Sequence, residues 1–362
     1  MNSLLWKDNW ESSRQHYLDW WAGRGLVISM WEHLAKAGVP HAGVAAPSPA
    51  QDLTQYWFDP EWRAANLDYR LAHSSFKADI LPVANTHLGP GSLAAILGAE
   101  LQPGEDTIWI HPAAPSDPAQ QRGIPIALDE ENRWWRLHLD LIRACKRLAG
   151  GHYWVGCPDL IEGLDTLAGL RGTQPVLLDL VDRPEALAQE LQAVNAVWFQ
   201  VFDRIYDEIK QDGAMAFCYF SLWAPGRVAK LQSDISGMIS ARNFRRFVQP
   251  FIREQCQWLD YSLYHLDGVA AIRHLDALLE IEELDAIQWK PGIEQPQGGD
   301  PCWYDLYRRI RAGGKSVMAS WVEVDELAPL LDAVGPAGLH VLMHFRTEDD
   351  IDRALTIASR YR

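Results

Sequence analysis

Two rhythms alternate along this chain. Short runs rich in apolar residues stand at 25–31 (GLVISMW), 79–86 (DILPVANT), 152–157 (HYWVGC), 214–220 (AMAFCYF), 260–264 (DYSLY), 285–289 (DAIQW), 315–321 (KSVMASW) and 339–345 (LHVLMHF). Each has strand length, and apolar residues at consecutive positions predict strands buried on both faces. Between them lie longer stretches with helical spacing, at 129–149, 161–170, 184–211, 241–256, 302–312, 325–334 and 347–360. Another begins at Asp59-Pro60-Glu61, where the Asp caps and the Pro takes the first helical position, and Asp182-Arg183-Pro184-Glu185 opens a helix in similar fashion. The first 24 residues read as an amphipathic helix with Trp6, Trp10, Tyr17, Trp20 and Trp21 on its apolar face.

Eight strands alternating with helices imply a parallel sheet, and eight units imply a closed (β/α)8 TIM barrel more than an open sheet. The expectation is one domain over 1–362, with residues 1–24 as a helical extension and strand 339–345 closing against strand 25–31. Residues 107–111 form a short strand in an excursion, and the segment from 221 to about 239 reads as a long loop. Pro, Gly and Gln at 38–58 and 292–300 predict loops over the mouth of the barrel. The chain has no GxxxxGK[ST] and no GxGxxG after a first strand, so nothing points to a dinucleotide-binding fold.

In such a barrel the chemistry stands where strands run into the following loops. That rule nominates Trp31, Asn85, His87, Asp159, Tyr219, Trp223, Trp289, Lys290 and Arg346 for substrate binding. His265, Asp267 and His344 are three nitrogen and oxygen donors able to hold a divalent metal across the mouth with a position left open. The bland alternative makes Asp267 a turn cap and His265 a hydrogen-bonded core residue. Carboxylates at Asp159, Asp234, Asp267 and Glu323 could divide into acid and base if their surroundings differ. Helix capping competes for Asp159. Asp234, Asp267 and Glu323 are the catalytic candidates, Asp234 foremost because no helix directly follows it. His87-Leu88-Gly89-Pro90-Gly91 could offer backbone N–H groups to an anion. His274 reads as structural.

Composition narrows the partners. A net charge of −15 argues against nucleic acid and anionic membranes. No apolar window of about 18 residues is present, and the opening MNSLLWKDNWESSRQ lacks an apolar signal core, so the expected location is cytoplasmic. Five scattered Cys with no CxxC fit a reducing compartment. The 17 Trp residues either fill the core or form flat walls for a ring-shaped ligand.

The stretch LQSDISGMISARNFRRFVQPFIREQ, with YHLDG, LDAIQWKPG and LVDRPEALAQEL, resembles the uroporphyrinogen decarboxylase superfamily over about four-fifths of the chain. The resemblance implies a (β/α)8 barrel and one of two activities: porphyrinogen decarboxylation, or zinc-dependent methyl transfer involving a corrinoid protein or a thiol. The decarboxylases anchor substrate carboxylates with an Arg-rich motif near the first strand. The matching GLVISMWEHL has none, which disfavours that activity. The methyltransferases hold zinc with His-x-Cys and a late Cys, where this chain has His265-Leu266-Asp267 and His344. The implied function is metal-assisted methyl transfer on a small molecule, with zinc or another divalent metal, a corrinoid-protein partner and a homodimer as expectations. A carbohydrate-active hydrolase or lyase with a Trp-lined mouth, and a non-catalytic ligand-binding barrel, are the alternatives.

Overall fold

The computed structural model describes residues 5–36, 43–112, 125–161 and 163–362. It is an α/β protein built on a central parallel sheet of six strands. In chain order the strands that matter are β1 (Leu26–Met30), β2 (Val83–Ala84), β3 (Trp154–Cys157), β4 (Met215–Phe217), β5 (Leu222–Ala224), β6 (Val228–Gln232), β7 (Tyr261–Asp267), β8 (Ala286–Lys290), β9 (Ser316–Val322) and β10 (Leu339–Met343). The central sheet runs β1-β10-β9-β8-β7-β6, and a second sheet runs β2-β3-β4-β5 with β5 antiparallel. As the apolar pattern predicts, β10 lies parallel to β1, Leu26 opposite Leu339 and Met30 opposite Met343. The excursion is an antiparallel pair, Glu100–Pro103 with Ile108–His111. No helix among the described residues is long and apolar enough to cross a membrane.

One strand corrects the sequence reading. The segment read as a long loop after residue 220 is a hairpin strand, β5, followed by β6. The reversal is made by Phe220 and Ser221, both left-handed at φ 67° and 46°. Such values are costly for side-chain-bearing residues and tend to mark functional sites. β6, VAKLQ, is buried along its whole length although it carries Lys230 and Gln232. A strand with two polar side chains on a single face lacks the run of apolar residues that marks the other strands.

The N-terminal helix α1 (Trp10–Trp21) is shorter than predicted, and residues 1–4 lie outside the described set. It packs at the N-terminal ends of the strands. Trp20 Nε1 donates to Val317 O (3.2 Å), Ser316 Oγ to Trp20 O (2.6 Å), and Trp21 Nε1 to Trp223 O (2.9 Å). Of the expected loop 38–58, residues 38–42 lie outside the described set and Leu53–Phe58 is a helix, α2, capped by Asp52. The helix α3 (Pro60–Ala72) starts as Asp59-Pro60 predicts, with Asp59 Oδ1 accepting from the N–H groups of Glu61 and Trp62 (3.0 Å each).

His340, on β10, is fully buried, with Nε2 2.6 Å from Ser29 Oγ. Burial pushes its pKa down to about 3. The unfolded chain takes up this proton near pH 6.5, the native protein only well below that. The unfolded state therefore binds more protons across the interval, and stability falls as the pH drops below 6.5. Between pH 7 and pH 5 wild type should lose about 2 kcal/mol more than His340→Gln, whose amide can still bond to Ser29. Urea midpoints at the two pH values measure the difference, and parallel pH profiles would contradict it.

Candidate active site

Parallel register aligns the polar positions of three neighbouring strands. Gln232 of β6 stands opposite His265 of β7, His265 opposite Gln288 of β8, and Asp267 opposite Lys290. Side chains alternate faces along a strand, so Lys230 and Gln232, His265 and Asp267, and Gln288 and Lys290 share the inner face. His265 Nδ1 is hydrogen-bonded to Gln288 Oε1, and Gln288 Nε2 donates to Ser320 Oγ (2.8 Å). The bond to an amide oxygen places the ring proton on Nδ1 and leaves the Nε2 lone pair facing Asp267, whose Oδ2 is 4.0 Å away.

Asp234 opens a short 3-10 helix, Asp234–Met238, just past β6. Ligand atoms of Asp234, His265 and Asp267 all lie within 4.8 Å of one another. Gln232 Nε2 donates to Asp234 Oδ2 (3.2 Å). The segment is held from two sides. Asp165 accepts the N–H groups of Asp234 and Ile235 (2.9 Å each), and His274 Nε2 lies 2.8 Å from Ser236 O while its ring stacks on Phe244. The sequence reading of His274 as structural agrees with that placement. Lys230 Nζ, buried, donates to Asp159 Oδ2 (2.6 Å) and to Gln232 Oε1.

Burial pushes His265 down to about 3, with Lys230 adding to the effect, so the imidazole is neutral at physiological pH. Burial pushes Asp267 up, opposed by Lys290 and Lys230. Asp234 and Asp165 are pushed up by burial and by crowding with other carboxylates. A neutral imidazole with a fixed tautomer beside two carboxylates is a donor set that fits a divalent cation. Lacking thiolate, it suits borderline and hard ions such as Zn²⁺, Fe²⁺, Mn²⁺ or Mg²⁺.

Rings form a wall leading away from this cluster. Phe220 lies over His265 (centroids 5.6 Å apart) and meets Trp31 edge-on (4.3 Å), and Trp31 stacks with Trp321 (6.2 Å). Tyr219 packs against Trp31, and its Oη lies 2.9 Å from His87 Nδ1, which also accepts Gly89 N–H (3.0 Å). Asn85 Oδ1 accepts the N–H of His87 (3.2 Å). Trp321 is left-handed, at φ 60°, where the β9–β10 register slips, and Lys290 Nζ lies 5.1 Å from its ring centre.

Several sequence assignments are corrected here. His344 does not join His265 and Asp267. Its Nδ1 lies 2.8 Å from Glu323 Oε1, and Arg346 grips the same carboxylate through two bonds of 2.9 Å. Glu323 is thus the anchor of a separate ion-pair cluster at the ends of β9 and β10. Trp289 is fully buried against Trp303 (4.9 Å), because alternation with Gln288 turns it outward into the helical layer. Trp223 is carried away from the site by the β4–β5 reversal and packs edge-on against Trp10 (5.1 Å). Asp159 is the buried partner of Lys230. Lys230, Gln232, Gln288 and Asp165 were missed. The first two lie in the unrecognised strand, where the alternation of apolar and polar residues over Ala229-Lys230-Leu231-Gln232 is the available signal. No local pattern marks Asp165, which meets Asp234 only through the fold.

The structure is similar to that of a methyltransferase from Methanosarcina mazei, with a TM-score of 0.60 and 12% sequence identity, over 96% of this chain and 98% of that one. At this identity the likeness is one of fold. No family model and no curated protein matches the chain.

Proposed function

We propose that this protein is a metal-assisted methyltransferase of the uroporphyrinogen decarboxylase type that acts on a small molecule, with Asp234, His265 and Asp267 holding the cation. The observation that carries the reading is the convergence of these three donors on one point at the strand ends, with His265 turned by Gln288 so that a nitrogen lone pair faces it. The fold shared with a methyltransferase agrees with it. A bound cation would supply Lewis-acid polarisation and a template for the methyl acceptor. Lys290 would offer positive charge to a polar substrate group. The Trp31, Phe220 and Trp321 rings would keep water from the reacting atoms. We also propose that the two sheets are arcs of one closed barrel. Asp79 N–H donates to Ile28 O (2.8 Å), linking the approach to β2 with β1, and Val228 N–H lies 3.3 Å from Met215 Sδ, linking β6 with β4.

The carbohydrate reading loses support, since Trp223 and Trp289 fill the core. A corrinoid as methyl carrier is part of the proposal. Protein loaded with Zn²⁺ should demethylate methylcobalamin in the presence of a thiol, followed by the visible spectrum of the corrin, and chelation should stop it. Equal rates before and after chelation would reject the metal-assisted reaction.

A further inference from the structure

The ring wall ends in a cavity of about 300 Å³ between α2, α3 and the turn joining Glu100–Pro103 to Ile108–His111. Its lining includes Arg63, Trp57, Trp62, His87, Glu105 and Asp106, together with Arg70 and Glu32, which pair with each other (3.9 Å) and add no net charge. Arg63 is 8% exposed. Its guanidinium donates to three backbone carbonyls, those of Trp57 (3.3 Å), His87 (3.0 Å) and Asn85 (3.3 Å). No carboxylate pairs with it among the described residues. Burial lowers its pKa to about 10, so it remains a cation at neutral pH. Buried charges are ordinarily paired, because an isolated ion loses its hydration without recompense. Carbonyl dipoles satisfy part of that need and leave the net charge unanswered.

The opposite charge stands at the rim. Glu105 and Asp106 are exposed and have no ion-pair partner among the described residues. Trp62, beside them in the lining, is fixed by its Nε1 bond to Ser48 O (2.7 Å), and the Tyr56 ring lies 5.4 Å away. Rings and carboxylates together suit an ammonium group. A purely anionic ligand would have to pass the acidic rim, and a purely cationic one would leave Arg63 uncompensated. We infer that this cavity binds a small zwitterion, its carboxylate directed to Arg63 and its ammonium end held among Trp62, Tyr56, Glu105 and Asp106. His87, bonded to Tyr219 on the ring wall, connects the cavity to the Asp234–His265–Asp267 cluster. As a substrate site, it deepens the methyl-transfer reading and rests on it. As a binding site, it stands on its own lining.

The test uses glycine betaine as the zwitterion, choline as its cationic half and acetate as its anionic half. Each is titrated into metal-stripped protein by calorimetry and by tryptophan fluorescence. Because no metal is present, failure here and failure of the metal reading are separate results. Betaine should bind with a Kd on the order of millimolar or lower and at least about tenfold more tightly than either half. Arg63→Gln should bring betaine down to the level of choline. Should that variant fail to fold, the exposed pair Glu105→Gln/Asp106→Asn carries the test: it should weaken betaine several-fold and leave acetate unchanged or tighter. Choline or acetate binding as tightly as betaine overturns the inference. So does an absence of saturable betaine binding, or betaine binding indifferent to the rim pair.

Discussion

A His265→Ala variant is expected to lose at least about a hundredfold in affinity for a divalent cation while unfolding near the wild-type temperature. His265 is the only neutral donor of the three, and its Nε2 is presented to the carboxylates because Nδ1 is bonded to Gln288. Removing it leaves two carboxylates, a set that holds borderline ions poorly. Gln288→Ala keeps the ligand but frees the ring, and should cost roughly 10- to 100-fold, the usual effect of losing an orienting partner. His344→Ala should leave the bound metal unchanged, since His344 belongs to the Glu323–Arg346 cluster. Metal content by mass spectrometry and competition with a chelating dye would measure all three. Retention of the metal by His265→Ala would remove the site, and its loss in His344→Ala would show that the two clusters act as one.

What the sequence made legible follows from where each residue's partners lie. The strands 285–289 and 339–345 could be read because their outward halves are apolar and meet helices. β6 is legible only through the alternation of Ala229-Lys230-Leu231-Gln232, because Lys230 and Gln232 face inward and are satisfied by Asp159 and Asp234, partners that no local pattern announces. His265 and Asp267 were found by position, since residues two apart on a strand share a face. The same rule, applied to Gln288 and Trp289, would have turned Trp289 into the core. His344 was placed at a strand end correctly, but a strand end says nothing of which neighbour the ring will take. Here Glu323 stands on the adjacent strand's exit and captures it. The left-handed residues Phe220, Ser221 and Trp321 are not glycines, so nothing in their identity signals the reversals they make.

The largest expected loss of stability comes from a residue outside the site. Asp79, fully buried, joins both ends of the chain to the sheet. Its carboxylate accepts from Ser13 Oγ (2.9 Å) and Ile28 N–H (2.9 Å), and it pairs with His16 Nδ1 (2.8 Å) and Arg362 (2.7 Å). Burial alone would raise its pKa, but the His16 bond and the Arg362 charge hold it below the usual carboxylate value. Asp79→Ala strands the buried Ile28 N–H, leaves the Ser13 hydroxyl with only Ala78 O (3.0 Å) to accept from it, and deprives Arg362 of its anion. Breaking a buried charge pair in this way costs about 3–5 kcal/mol, a fall in Tm of roughly 4–7 °C for a protein of this size. Asp79→Asn preserves the shape, yet its amide N–H must meet one of four donors, so it should lose at least half as much. The charge also fixes the pH dependence. Because the folded pKa lies below the unfolded one, the stabilisation is present above about pH 4 and is lost as the pH falls through the folded value. Calorimetric unfolding of wild type and both variants tests this. A shift of under about 2 °C in Asp79→Ala would show that the hub is replaceable by solvent.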